Sequence, residues 1–364
     1  MQWFLLILVL PYIFLLVKIQ RNLKNIRQFN SVNACSSFIS IIIACRNESD
    51  NILKVLKDIA LQDYPANLFE VIIVDDNSGD QTFNIASGFT DINDLKVLKN
   101  KGSGKKMAVA SGVESAKGDL ILTTDADCSM GKRWINSVAS FYSMYKPDLI
   151  ICPVVLKSGQ RFFGKFQELE FLSLQGVTAG TAIAGTSTMC NGANLAFTKE
   201  VYLKHSKNLH YDISSGDDVF LLHSIKKDKG SKIMWLESRE ATVTASASGT
   251  ISLFLSQRSR WISKGKAYND RSTIILAIVT FVTIITQVIL LISGFFRPAF
   301  FLVFAAFLML KSIPDFLILM NTTKRYGKRD LMKWFIPSQL VYPFYVIGVV
   351  LNPFKYGFKT NSVS

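Results

Sequence analysis

A chain of 364 residues, 49% of them hydrophobic and concentrated at its two ends, has core material for one large domain or two. This pattern excludes an ordinary soluble protein and points to a membrane protein with a polar middle. The net charge of +14 does not mark a nucleic-acid partner, because many Lys and Arg flank apolar segments and others sit beside a candidate phosphate site. Five cysteines (Cys35, Cys45, Cys128, Cys152, Cys190) without close pairing, and only three histidines, exclude a zinc site or disulfide framework and suit a reducing cytosolic setting.

Trp3 to Val17 is almost entirely apolar, and Lys18, Arg21, Lys24 and Arg27 follow it. A cleavable signal peptide carries its positive charge ahead of the apolar run. Here the order is reversed and no small-x-small site follows, so residues 1–20 read as a membrane anchor with its carboxyl end in the cytosol. The run is near the short limit for crossing a bilayer, and a tilted or interfacial helix is the alternative.

From Phe38 the texture changes to that of a sheet domain over 36–250. Ser40–Ala44 reads as a buried strand ending at Cys45-Arg-Asn-Glu48, and Asn51 to Leu61 has helical periodicity through Ile52, Val55, Leu56 and Ile59. Phe69–Val74 is a second strand, ending at Asp75-Asp-Asn-Ser-Gly-Asp80, and Leu95–Leu98 a third. A helix opens at Lys101-Gly-Ser-Gly-Lys-Lys106. Leu120–Thr124 leads as a fourth strand into Asp125-Ala-Asp127, and Leu149–Val155 is a fifth after a helix from Lys132 to Tyr142. Strand, polar loop and helix in alternation predict a doubly wound parallel sheet whose loops share one edge.

Each loop has its own chemistry. Asp125 and Asp127 offer two hard oxygen ligands on one side, which suit Mg²⁺ or Mn²⁺ carried by a phosphate-bearing substrate. A solvated turn is the bland alternative. Glu48, Asp75 and Asp76 are acceptors for a nucleobase N–H or a ribose hydroxyl, and Asp75–Asp80 also suits an Asx-rich helix start. Lys105 and Lys106 could pair with phosphate at a helix amino terminus.

Past the sheet, Arg161 to Gln175 reads as an amphipathic helix. Cys190-Asn-Gly-Ala-Asn194 is a small-residue loop where backbone could approach a ligand. In Gly216-Asp-Asp218, Asp218 is either a cap, given its capping-box-like spacing from Ser215, or a general base held ionised near a helix start. Residues 251–268 read as an interfacial amphipathic helix, with Gln257, Arg260, Trp261 and Lys264 on one face. Three membrane helices are expected over 273–352: Thr273–Phe295, Pro298–Met320 and Trp334–Leu351. The basic loop Lys324–Lys333 is expected in the cytosol, with both termini outside; Lys355 and Lys359 in the tail argue against that last step. Lys311 and Asp315 inside the second span line an acceptor passage or form an internally neutralised pair.

Together these residues resemble the membrane-bound family 2 glycosyltransferases, a group that includes cellulose, chitin and hyaluronan synthases, with a layout similar to ceramide glucosyltransferase. The matching motifs are Arg46-Asn-Glu48, Tyr64-Pro65, Val74–Asp80, Gly104-Lys105, Ala116–Asp119, Asp125-Ala-Asp127, Gly216-Asp-Asp218 and Gln257-Arg-Ser-Arg-Trp261. Ala110 stands where the family often has Asn. The resemblance implies a GT-A, Rossmann-like α/β domain between amino- and carboxyl-terminal transmembrane helices, in a cell inner or plasma membrane with the catalytic domain cytoplasmic.

It also implies inverting transfer from a nucleotide-diphosphate sugar to a lipid, lipid-linked or growing polysaccharide acceptor. Asp218, with Asp217 as the alternative, would be the base, and Asp127 with Asp125 the Mg²⁺ or Mn²⁺ ligands. Arg46, Glu48, Asp75, Asp76, Lys105, Asp125, Gln257, Arg260 and Trp261 would bind the donor, and Trp261 and Asn194 the acceptor. A catalytically inactive nucleotide-binding scaffold and a nucleotidyltransferase are the competing readings.

Overall fold

The computed structural model describes residues 2–31, 37–213 and 215–351, so Cys35, Lys355 and Lys359 lie outside the described residues. The chain forms two compact units: a sheet unit of Ile26–Lys157 with Ser187–Ser246, and a helical unit of Met1–Asn25, Ser158–Thr186 and Ala247–Ser364. The strands are β1 (Ile39–Cys45), β2 (Phe69–Asp75), β3 (Leu95–Lys99), β4 (Leu120–Thr123), β5 (Ser129–Met130), β6 (Leu149–Ile151), β7 (Val154–Lys157), β8 (Leu195–Thr198), β9 (Ile233–Trp235) and β10 (Val243–Ser246). The helices of the sheet unit are α2 (Ile52–Ala60), α3 (Thr82–Ser87), α4 (Lys105–Ser115), α5 (Trp134–Tyr145), α7 (Lys199–His205) and α8 (Asp217–Ile225). Those of the helical unit are α1 (Leu10–Lys24), α6 (Phe162–Ile183), α9 (Ile251–Ser263), α10 (Arg271–Phe296), α11 (Ala299–Arg325) and α12 (Phe335–Leu351).

The main sheet has the order β3-β2-β1-β4-β8-β6-β9, and β5-β10-β7 form a smaller one. Strands β1 and β2 are buried along nearly their whole length, as continuous Ile and Val runs require when helices cover both faces. Because β1, β2 and β4 run parallel, their ends at Cys45, Asp75 and Thr123 lie along one edge. The expectation of an all-parallel sheet is corrected at β8, which is antiparallel to both β4 and β6. The Gly192 carbonyl accepts a hydrogen bond from Thr123 Oγ1 at the carboxyl end of β4 (2.7 Å). The chain therefore enters β8 from the loop edge and has to run back across the sheet. A four-residue run with no alternation gave no sign of this in the sequence.

Within the expected 36–250 span, α6 and residues 247–250 group with the apolar helices. Among the described residues, four helical stretches are long and apolar enough to cross a membrane: Gln2–Lys24, Arg271–Phe296, Ala299–Arg325 and Arg329–Leu351. The first is longer than Trp3–Val17 because Lys18, Arg21 and Lys24 continue the helix, with cations favourably placed in its last turn. Gly180 of α6 lets α1 approach: a Cβ there would lie 2.7 Å from the Ile19 carbonyl oxygen. Lys311 Nζ donates to Asp315 Oδ2 and Gln339 Oε1, each at 2.7 Å, and the Tyr12 hydroxyl donates to Asp315 Oδ1 at 2.6 Å. This is a closed network joining α1, α11 and α12. These bonds support the internally neutralised pair of the two readings.

Within β2, Glu70 is fully buried and accepts from Ser40 Oγ (2.7 Å), Lys96 Nζ (2.7 Å) and the Lys117 N–H (2.5 Å). Burial alone would raise its pKa, but these donors hold it below the ordinary glutamate value. A depressed carboxyl contributes stability above its unfolded pKa of about 4.3, and the contribution is lost as pH falls through the folded value. Glu70→Gln should therefore cost about 1–3 kcal/mol at neutral pH, with the deficit shrinking below about pH 4. Denaturant unfolding of the full chain at the two pH values checks this, and an equal deficit at both would sink it.

Candidate active site

The loops after β1 and β2 are laced together. The Gly79 N–H donates to Asn47 Oδ1 (2.8 Å), the Asn47 N–H to Ser78 Oγ (2.9 Å), the Ser49 N–H to Asp80 Oδ2 (3.1 Å) and the Glu48 N–H to Thr82 Oγ1 (2.7 Å). Arg46 remains exposed. Desolvation and the charges of Asp127, Asp125 and Asp80 push the Glu48 carboxyl up, against the Asn51 amide. Asp75 is buried; its Oδ2 accepts from the Ser78 N–H (3.1 Å), while Oδ1 has no hydrogen-bond partner. A buried acceptor without a donor is costly and suits an incoming N–H.

Asp76 corrects its expected role as a donor ligand. It accepts from Asn100 Nδ2 (2.7 Å) and from the Gly104 N–H at both oxygens (2.9 and 3.0 Å), so it holds the turn that opens α4. That turn aims Lys105, whose Nζ lies 2.5 Å from Asp125 Oδ1. Burial would lower the Lys105 pKa, but Asp125 first, then Asp217 and Asp218, hold it above the ordinary lysine value. Lys106 does not face phosphate: it is buried and donates to the carbonyls of Leu209 and His210.

The loop before β8 supplies the floor. A Cβ on Gly192 would lie 3.6 Å from Asp217 Oδ2, 3.7 Å from Asp218 Cβ and 3.8 Å from Lys105 Nζ. Asp218 Oδ2 accepts from the Gly192 N–H (3.0 Å) and Oδ1 from the Val219 N–H (2.7 Å). The expected cap at Ser215 does not form. Gly216, at φ 92°, occupies the N-cap position without a side-chain bond, and both acids fall in the first turn of α8. There Asp218 accepts from two backbone N–H groups at the positive end of the helix dipole. Asp127 is pushed up by desolvation and by Asp125, and drawn down by Lys105.

Residues 40–205 match the profile described as glycosyl transferase family 2. Over these residues the chain is similar to family 2 glycosyl transferases. It is 35% identical over 115 residues to the glycosyltransferase AglE of Haloferax volcanii, covering 31% of this chain and 38% of that protein. It is 26% identical over 246 residues to the beta-monoglucosyldiacylglycerol synthase of a Nostoc species, covering 66% of this chain and 51% of that one. The matches thus span about two fifths and one half of these relatives. In fold it is similar to a mannosyltransferase from Pyrobaculum calidifontis solved with GDP-Man and Mn²⁺, with a TM-score of 0.60 at 16% identity over 97% of this chain and 99% of that one.

The family match ends before Asp217 and Asp218, which the sheet unit brings beside Lys105 through Gly192. Asn194 corrects its expected role as an acceptor contact. It is fully buried, accepts from Trp134 Nε1 (2.9 Å) and donates to the carbonyls of Pro153 and Ala241 (2.8 Å each). In the helical unit, Gln257 Oε1 accepts from the Arg258 guanidinium (2.6 Å), which lies 4.1 Å from the Trp261 ring centroid, and Arg260 is exposed. Arg258 is bidentate to the buried Glu170 (2.5 and 3.1 Å), which also accepts from the Tyr345 hydroxyl (2.9 Å). Sequence reading passed over Arg258, since nothing in an amphipathic pattern foretells its partner on α6.

A divalent cation fits the chemistry of Asp125 and Asp127, since both offer hard oxygens and their mutual repulsion favours a positive charge. Among the described residues no group of three or more His, Cys, Asp or Glu could hold a metal, so substrate oxygens and water would complete its shell. Asn194→Ala should destabilise the chain by about 2–4 kcal/mol, because it strands a buried indole N–H and two carbonyls. Donor affinity should not change. Thermal unfolding and a donor titration check this, and an unchanged melting temperature with weakened acceptor use would restore the acceptor role.

Proposed function

We propose that this protein is an integral membrane glycosyltransferase. It transfers a sugar, with inversion, from a nucleoside-diphosphate donor to a hydroxyl on a lipid, lipid-linked or growing polysaccharide acceptor. The observation that carries the reading is the meeting of Asp217, Asp218 and Lys105 over Gly192, with Asp125 bonded to the same lysine. The family match supports the reaction class. The Nostoc relative, named for a glucosyldiacylglycerol product, supports a lipid among the acceptors, and the four apolar helices support a membrane site. The Lys and Arg that flank them support a cytoplasmic sheet unit.

Asp75 Oδ1 accepts from the nucleobase, with Arg46 and Glu48 at the same edge. Lys105 offers an N–H to the diphosphate and offsets its charge. Asp127, with Asp125, would hold Mg²⁺ or Mn²⁺, which when bound stabilises negative charge on the leaving diphosphate. Asp218 takes the proton of the acceptor hydroxyl, whose oxygen attacks the anomeric carbon from the face opposite the diphosphate; Asp217 is the alternative base.

Incubating the purified full chain with a panel of nucleotide sugars should show nucleoside diphosphate release from at least one. Asp218→Asn should lower turnover by about 10²–10⁴-fold with donor binding retained, whereas Asp127→Asn should lose the metal-dependent part of binding. Wild-type turnover in Asp218→Asn with loss in Asp217→Asn would move the base by one residue. No release from any donor would sink the activity.

A further inference from the structure

Helix α4 opens with two adjacent lysines and no acidic residue in its first turn, an arrangement that opposes the helix dipole. Lys105 turns to Asp125. Lys106 turns the other way, is 4% exposed, and donates to the carbonyls of Leu209 (2.7 Å) and His210 (2.6 Å). Its ammonium also lies 4.7 Å from the centroid of the Phe220 ring, a cation–π contact. His210 is held at φ 52°, a left-handed conformation unusual for a residue with a side chain, and its ring packs 4.6 Å from Phe220. Phe220 stands in the first turns of α8, two residues beyond Asp218, with its N–H bonded to the Gly216 carbonyl (2.9 Å).

We propose that Lys106 is a positioning residue. By pinning Leu209, His210 and Phe220, its ammonium ties the start of α8 to the start of α4 and sets Asp217 and Asp218 against Lys105. The proposal rests on the glycosyltransferase reading for its catalytic consequence, but not for its structural one. A buried lysine bound to two carbonyls and an aromatic face has no hydrocarbon equivalent: Lys106→Met keeps the length and loses all three attractions, while Lys106→Arg keeps the charge and the donors.

The test uses the full chain in detergent. In Lys106→Met, amides of 209–213 and 217–222 should exchange with deuterium about tenfold faster or more, while those of β1 and β4 keep their protection. With the best donor of the nucleotide-sugar panel, kcat should fall about tenfold or more and donor KM stay within about twofold. Lys106→Arg should restore most of both. Phe220→Leu, which keeps the core apolar, should give the same localised exchange if Lys106→Met does not fold. Unchanged exchange at 209–213 and 217–222, or an equal rise in β1 and β4, would overturn the proposal, as would a loss confined to donor KM. If wild type turns over no donor, the glycosyltransferase reading fails, and the exchange data alone decide whether Lys106 positions α8.

Discussion

The ammonium of Lys105 is the charge on which the rest of the site depends. Asp125 touches it, and Asp217 and Asp218 lie within its field. Without a cation there, the carboxylates converging from a loop and a helix start would repel one another. With it, part of that repulsion is offset. Gly192 lies beside the same groups: a Cβ there would be in ordinary contact with Asp217, Asp218 and Lys105.

Within each unit the chain uses buried charges as register devices. Glu70 ties three segments of the sheet unit through Ser40, Lys96 and Lys117. In the helical unit, Glu168 of α6 accepts from Ser158, Lys165 and Lys328, and Glu170 two residues on takes Arg258 and Tyr345. The Lys311–Asp315 pair does the same for α1, α11 and α12. A buried ion pair adds little net stability over an apolar substitute, but breaking one strands a charge at high cost. Such pairs therefore favour one packing of apolar helices that could otherwise slide.

Much of the fold was legible because its signals are local. Ile52, Val55, Leu56 and Ile59 share a helix face at 3.6-residue spacing and all four are buried. The strands ending at Cys45, Asp75 and Thr123 are continuous β-branched or apolar runs closed by polar turns, so the edge carrying the site could be placed. The motif acids of the sheet unit followed from that placement. Asp76 and Asn194 misled, because a polar residue beside a site looks the same in sequence whether it faces a ligand or its own backbone.

By itself the sequence determined the element types, the apolar helices at both ends and the residue types available for chemistry, because periodicity and turn composition act over a few residues. The tertiary structure alone decided that β8 runs against its neighbours, that α6 joins the helical unit, and that Lys105 and Lys106 face opposite tasks from adjacent positions. It also decided that Asp218 meets Gly192 rather than capping from Ser215. Each of these is a pairing between groups tens of residues apart, and long-range pairing is settled by which buried donors and acceptors the whole fold can satisfy.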